Sequence, residues 1–113
     1  MQEKLYLLWE RNILDKYHVK IYSRAYHDLD EIYRYIAHNL LEPGTALNMV
    51  QELEEAIYSL EQLPERGTYR RIGAFGTYNY RQLFVKNYII IYRVLKKEKE
   101  VHIVTVRYAS SQF

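Results

Sequence analysis

Seven residues in the second half of the chain combine charge or hydrogen-bonding capacity with positions in or beside apolar, alternating segments: Arg70, Arg71, Arg81, Arg93, His102, Arg107 and Tyr108. Alternation puts Arg81 with Leu83 and Val85 on one face of its segment, and Arg93 with Ile89, Ile91 and Leu95 on one face of the next. An arginine among apolar neighbours needs a partner or a concave, wet face. One reading of Arg81 is an internal salt bridge to a helix carboxylate, Asp28 or Glu31. The other is a planar guanidinium fork presented to a phosphate or a carboxylate. Arg107 and Tyr108 end the last apolar segment, where side chains can project into such a face. Arg81, His102, Arg107 and Tyr108 are therefore the candidates for proton transfer or anion stabilisation. Arg70, Arg71, Arg81, Arg93, Arg107 and Tyr108 are the candidates for binding a partner.

Other chemistry finds little support. The four histidines (His18, His27, His38 and His102) are scattered, and the chain has no cysteine, so thiolate metal sites and disulfides are excluded. No metal site is expected. Glu52, Glu54 and Glu55 read as a solvated helix face. No P-loop, nucleophile elbow or dinucleotide fingerprint is present. Gly73 to Gly76 superficially matches a GXXG clamp for nucleic acid, but no flanking helices accompany it, so it reads as a turn.

Charge is divided along the chain. Residues 1–65 carry six Lys/Arg and twelve Asp/Glu, a net of −6, whereas residues 66–113 carry ten and two, a net of +8. The basic half holds the strand-like segments. A basic, tyrosine-rich sheet beside an acidic helical half suits a polyanion or an acidic protein segment. Thirteen tyrosines strengthen that reading, because tyrosine joins an apolar body to a hydrogen-bonding tip.

The elements that must position these residues follow from periodicity. His18 to Ser23 alternates and reads as a strand. Ser23 is the expected N-cap of a helix with Asp28, Asp30 and Glu31 early in it. Tyr26, Leu29, Ile32, Tyr33, Ile36, Ala37 and Leu40 recur at helical spacing as far as Leu41. Pro43 and Gly44 break that helix. A second follows with Ala46, Met49, Val50, Leu53, Ala56, Ile57, Leu60 and Leu63 on its buried stripe, and Pro64 and Gly67 end it. Tyr78 to Val85, Tyr88 to Leu95 and Glu100 to Val106 read as three strands joined by tight connections, hence an antiparallel meander. Tyr88 to Tyr92 is apolar on both faces, as a central strand requires. The fold class is α+β: an N-terminal strand, then a helical hairpin packed on a mainly antiparallel sheet that ends in the three-strand meander.

A chain of 113 residues bounds one domain with one core. Residues 1–16 read as an N-terminal extension or short helix, with Leu5, Leu8, Trp9 and Ile13 on one face. Glu3 and Glu10 flank its short apolar stretch, which is unlike a secretory signal. No apolar run reaches the roughly 18 residues that span a bilayer. A cytoplasmic location is expected.

The order of these elements, with the segments Ser23 to Ile36, Leu60 to Gly67, Tyr80 to Val94 and Val101 to Tyr108, resembles the RelE/ParE toxins of bacterial type II toxin–antitoxin modules. The resemblance covers residues 17–113 and is nearest the ParE-like, plasmid-stabilisation branch, in which Arg81 matches an arginine ahead of the central hairpin. It implies a growth-inhibiting toxin neutralised by a cognate antitoxin, with no cofactor, membrane or small-molecule substrate. ParE-like members poison DNA gyrase; RelE-like members cleave mRNA on the ribosome without metal. Cleavage of that kind needs groups that activate the 2′-hydroxyl, protonate the leaving oxygen and stabilise the phosphorane. The RelE pattern supplies lysines near the helices, two strand arginines and a C-terminal tyrosine. Here the first arginine position reads Phe84 or Val85, and the chain ends in Phe113. Arg107, Tyr108 and His102 are the available substitutes. The expectation is a gyrase poison, with an mRNA endoribonuclease or a degenerate, antitoxin-binding toxin as alternatives.

Overall fold

The computed structural model describes residues 16–110, apart from residues 72, 74, 77 and 78. In chain order they form β1 (His18–Ile21), α1 (Ser23–Arg34), a π-helical turn (Tyr35–Asn39), α2 (Pro43–Ser59), β2 (Thr68–Tyr69), β3 (Arg81–Val85), β4 (Tyr88–Leu95) and β5 (Glu100–Tyr108). The expected amphipathic face of Leu5, Leu8, Trp9 and Ile13 lies outside the described residues.

Five strands make one sheet in the order β1-β5-β4-β3-β2. β3, β4 and β5 are the antiparallel meander, and β4 is central, as its apolar run requires. β1 enters at the edge, parallel to β5, because the helical hairpin carries the chain across the sheet before it returns. β2, two residues long, extends the other edge by pairing Thr68 with Gln82 and Tyr69 with Arg81. Nothing in the alternation pattern announces so short a strand. β5 runs two residues past the expected Val106, to Tyr108.

Ala25, Leu29, Ile32 and Ile36, at steps of three or four, bury one face of α1 and its π-helical extension. Ala46, Met49, Leu53, Ala56, Ile57 and Leu60 do the same for α2, and both stripes close over Leu83, Ile90, Tyr92, Val101, Ile103 and Val106 of the sheet. Leu63 is exposed despite its spacing, because α2 stops at Ser59 and the chain has left the helical path. Ser23 is the first helical residue rather than the cap. Tyr22 occupies the cap position and makes no side-chain cap bond, and the first turn holds no acidic residue. Pro43 likewise opens α2 instead of merely breaking α1. Its fixed φ and missing N–H fit the first helical position.

Two features of the sheet prepare the functional region. A β-bulge shifts the β4–β5 register after Ile91, which pairs with Thr105, while Tyr92 pairs with Ile103. Both Thr105 and Val106 end up buried there. Salt bridges also tie the two charge halves together, Lys86 to Glu52 at 2.9 Å and Lys96 to Glu65 at 2.8 Å.

Candidate functional site

The turn that follows α2 is held by a cross-strand pair. Arg81 on β3 faces Tyr92 on β4. Tyr92 is fully buried, and its hydroxyl accepts the Gly67 N–H at 2.8 Å. Arg81 Nη1 donates to the Gly67 carbonyl at 2.7 Å and, more weakly, to the Glu65 carbonyl at 3.5 Å. Both polar groups of one buried backbone unit are thus satisfied by neighbouring side chains. Glycine is required there: a Cβ on Gly67 would lie 2.4 Å from the Gln82 carbonyl oxygen and 2.8 Å from the Tyr92 hydroxyl. Burial pushes the Tyr92 phenol up, against the smaller opposing effect of the Gly67 hydrogen bond.

Beside this node lies a cavity of about 290 Å³ whose lining includes Tyr69, Arg81, Arg93, Lys96 and Lys97. The Arg81 guanidinium stacks 4.1 Å from the Tyr69 ring centroid, and the Arg93 guanidinium sits 5.7 Å from that of Tyr80. The hydrogen bond and charge of Lys96 hold the Glu65 carboxyl below its ordinary range, and Glu65 raises Lys96 reciprocally.

A larger cleft of about 750 Å³ opens between the helical hairpin and the far end of β4 and β5. Arg107 and Tyr108 line it, with Arg24, Asp28, Tyr35 and Tyr88. At its floor is Asp28, only 6% exposed. Its Oδ2 accepts the Val106 N–H at 3.0 Å and the Thr105 hydroxyl. Its Oδ1 accepts Arg24 Nε at 3.3 Å. Thr105 Oγ1 in turn accepts Arg107 Nε at 3.0 Å. The bulge presents the donors and the carboxylate takes them, so a buried charge is stabilised by several hydrogen bonds. Tyr88 and Tyr108 meet edge to face at 5.7 Å. Burial, then the neighbouring Tyr108 and Tyr35, push the Tyr88 phenol up, so it is neutral at physiological pH.

His102 belongs to a third group. Its Nδ1 lies 2.8 Å from the Tyr22 hydroxyl and its Nε2 2.9 Å from Glu100 Oε1. Glu100 also pairs with Lys20 at 2.8 Å, and these two partners, Lys20 first, hold its carboxyl below the ordinary range. The remaining candidates are Arg70, which is buried and donates from Nη1 to Gln82 Oε1 at 3.0 Å, and Arg71, which is exposed.

The structure therefore brings Arg107 and Tyr108 together in the cleft, and Arg81 and Arg93 together at the smaller cavity. It places His102 with neither pair. Arg81 is bound to backbone carbonyls and not to Asp28 or Glu31. Asp28, read from the sequence as a favourable charge near a helix start, instead anchors the bulge. The signal was available: Asp28 falls three residues after Ala25 and four before Ile32, on the buried stripe. Tyr35 and Tyr88 also line the cleft, and single tyrosines at helix and strand positions carry no pattern that marks them in the sequence. Among the described residues no group of three or more His, Asp or Glu could hold a metal ion, and no helix is long and apolar enough to cross a membrane.

Residues 19–113 match the family model of the ParE toxin of type II toxin–antitoxin systems, parDE. The chain belongs to the ParE toxin family. Its fold is similar to that in the chromosomal ParDE toxin–antitoxin system from P. aeruginosa, with 26% identity over 85% of this chain and 99% of the other, at a TM-score of 0.70. At the level of fold it is also similar to the RelBE2 toxin–antitoxin complex from Mycobacterium tuberculosis (18% identity, 85% of this chain and 94% of the other, TM-score 0.55). The free E. coli toxin RelE, in a mutant form, gives 14% identity over 84% of this chain and 85% of the other, at a TM-score of 0.55. No curated protein gives a significant match. As a ParE-family member the chain is a toxin of a type II toxin–antitoxin module. Its strand, helical hairpin and meander are the RelE/ParE arrangement.

Proposed function

We propose that this ParE-family toxin arrests growth by acting on DNA gyrase, that a cognate antitoxin neutralises it by binding the basic sheet half, and that it works in the cytoplasm. The observation that carries the choice of target is the dispersal of the polar candidates. Metal-free RNA cleavage needs a base, an acid and a cation converging on one phosphate. Here Arg81 is engaged with the Gly67 carbonyl, Arg107 and Tyr108 line a cleft elsewhere, and His102 is bonded to Tyr22 and Glu100. The four residues proposed for proton transfer or anion stabilisation, Arg81, His102, Arg107 and Tyr108, therefore do not meet at one point. A target met through surface complementarity makes no such demand.

The antitoxin part is supported by family membership and by the +8 of residues 66–113, which attracts an acidic or amphipathic segment at long range. A second reading, ribosome-dependent mRNA cleavage, has one observation in its favour: Arg107 and Tyr108 share the larger cleft with the Asp28 carboxylate. Induced expression in a bacterial host, with extraction of a reporter plasmid, tests the proposal. Growth arrest with loss of negative supercoiling, relieved by co-expressing the neighbouring small open reading frame, is the expected result. Arrest with normal plasmid topology and truncated mRNAs moves the assignment to the second reading.

A further inference from the structure

We infer that the cavity beside β2 and the β4–β5 turn is a receptor for a carboxylate side chain on an acidic segment of a protein partner. Four cations line it, Arg81, Arg93, Lys96 and Lys97, against two carboxylates, Glu65 and Glu98. Two of the cations are already engaged. Lys96 is paired with Glu65 at 2.8 Å, and Arg81 Nη1 is bound to the Gly67 carbonyl at 2.7 Å. Arg93 and Lys97 have no hydrogen bond or ion pair among the described residues.

Arg93 is the telling member. It is half-buried, and a cation drawn partly out of water without an ion-pair partner gives up solvation that a single ring contact offsets only in part. Its guanidinium lies 5.7 Å from the Tyr80 ring centroid, an attraction that engages none of its N–H donors. By alternation Arg81 and Arg93 leave the sheet on opposite faces, since Arg81 is opposite Tyr92 and Arg93 is the next residue. Both nevertheless line the one cavity, so it gathers cations from both sides of the strand ends. A volume of about 290 Å³ has room for one carboxylate and its stem.

The two carboxylates decide between anions. A nucleic-acid strand that placed one phosphate in the cavity would bring the adjoining phosphates toward Glu65 and Glu98, and like charges repel. On an extended peptide successive side chains point to opposite faces, so the residues on either side of an inserted Glu or Asp turn away from the cavity. An Arg fork with a lysine beside it gives that carboxylate two parallel hydrogen bonds and a further point charge.

This inference rests on the antitoxin half of the reading above and deepens it. It is tested on the full-length protein by NMR, following the arginine Nε–Hε signals. Three additions are compared: blocked tri-glutamate peptide, inorganic phosphate, and a short DNA duplex. A tri-glutamine peptide is the neutral control. Tri-glutamate is expected to move the Arg93 signal saturably and less strongly as salt is raised. Arg93→Gln should weaken its binding at least about tenfold. Lys97→Gln, at an exposed position, should weaken it in the same direction with the melting temperature unchanged. No saturable shift with tri-glutamate, or a shift seen first with the duplex or with phosphate, overturns the inference. Capture of the unaltered toxin by the co-encoded small protein separately tests the antitoxin reading, so the two can fail independently.

Discussion

Removing the Arg81 side chain should destabilise the protein through one identifiable node. Arg81→Ala deletes the Nη1 bond to the Gly67 carbonyl at 2.7 Å and the stacking on Tyr69 at 4.1 Å. A hydrogen bond from a charged donor contributes about 1.5–3 kcal/mol, and a partly exposed cation–π contact about 0.5–1 kcal/mol. The site is half-buried, so the lower ends apply and the loss should be about 2 kcal/mol. For a domain of this size that lowers the melting temperature by about 8 °C. Arg81→Lys keeps the charge but loses the planar stack and the second bond to Glu65, so it should fall between wild type and Arg81→Ala. Thermal unfolding followed by far-UV circular dichroism measures both. Toxicity, assayed below the lowered melting temperature, reads the functional contribution separately. An Arg81→Ala protein melting within ~2 °C of wild type would refute the account of the node. Loss of toxicity without loss of stability would instead make Arg81 a contact residue.

Asp28→Ala should cost more, about 3 kcal/mol in urea unfolding, because it strands the buried Val106 N–H and Thr105 hydroxyl together. Asp28→Asn, which retains an acceptor, should cost less. Gly67→Ala should lower stability by about 1–3 kcal/mol, since its methyl collides with backbone at Gln82 as well as with the Tyr92 hydroxyl. Acid should weaken the protein in part through Glu100. Its folded-state carboxyl titrates below its ordinary value of 4.5, so its contribution is present above that value and is lost as pH falls through the lower one. Glu100→Gln should flatten that part of a stability–pH curve below pH 4.5. Tyr88 and Tyr92 act at the other end: both phenols are raised above 10.0, so the stability they contribute is present below that value and lost as pH climbs through the raised ones.

Much of the fold was readable because burial repeats at fixed intervals. The stripe from Leu29 to Ile36 gave the first helix, and the two-sided apolar run of β4 gave the centre of the sheet, with its ends at Tyr88 and Leu95. What escaped had no period. β2 is two residues long, and the bulge at Ile91/Tyr92 depends on how β5 meets α1 through Asp28. The π-helical turn over Tyr35–Asn39 continues the same apolar spacing as α1, so the pattern does not separate them.

The site was less readable than the fold for a related reason. Alternation assigns a residue to a face of its own strand, but it does not say where along the sheet that residue meets another. Arg81 lies opposite Tyr92, whereas Arg107 lies opposite Ile89, three residues along the central strand. That register separates side chains that the sequence alone allows to converge. It also gives Arg81 backbone carbonyls as partners, which no charge count reveals. The charge asymmetry survives folding only in part, because Lys86 and Lys96 each pair with a carboxylate from the acidic half. Arg93 and Lys97, at the smaller cavity, belong to the charge that is left over.

The central claim is that this ParE-family toxin acts on gyrase, and the most direct measurement is a paired assay with one purified preparation. DNA supercoiling by gyrase and integrity of an mRNA under translation are followed in parallel, each with and without the co-encoded antitoxin. The account predicts inhibited supercoiling, intact message, and full recovery of supercoiling when antitoxin is added. Normal supercoiling with ribosome-dependent cuts in the message would contradict it.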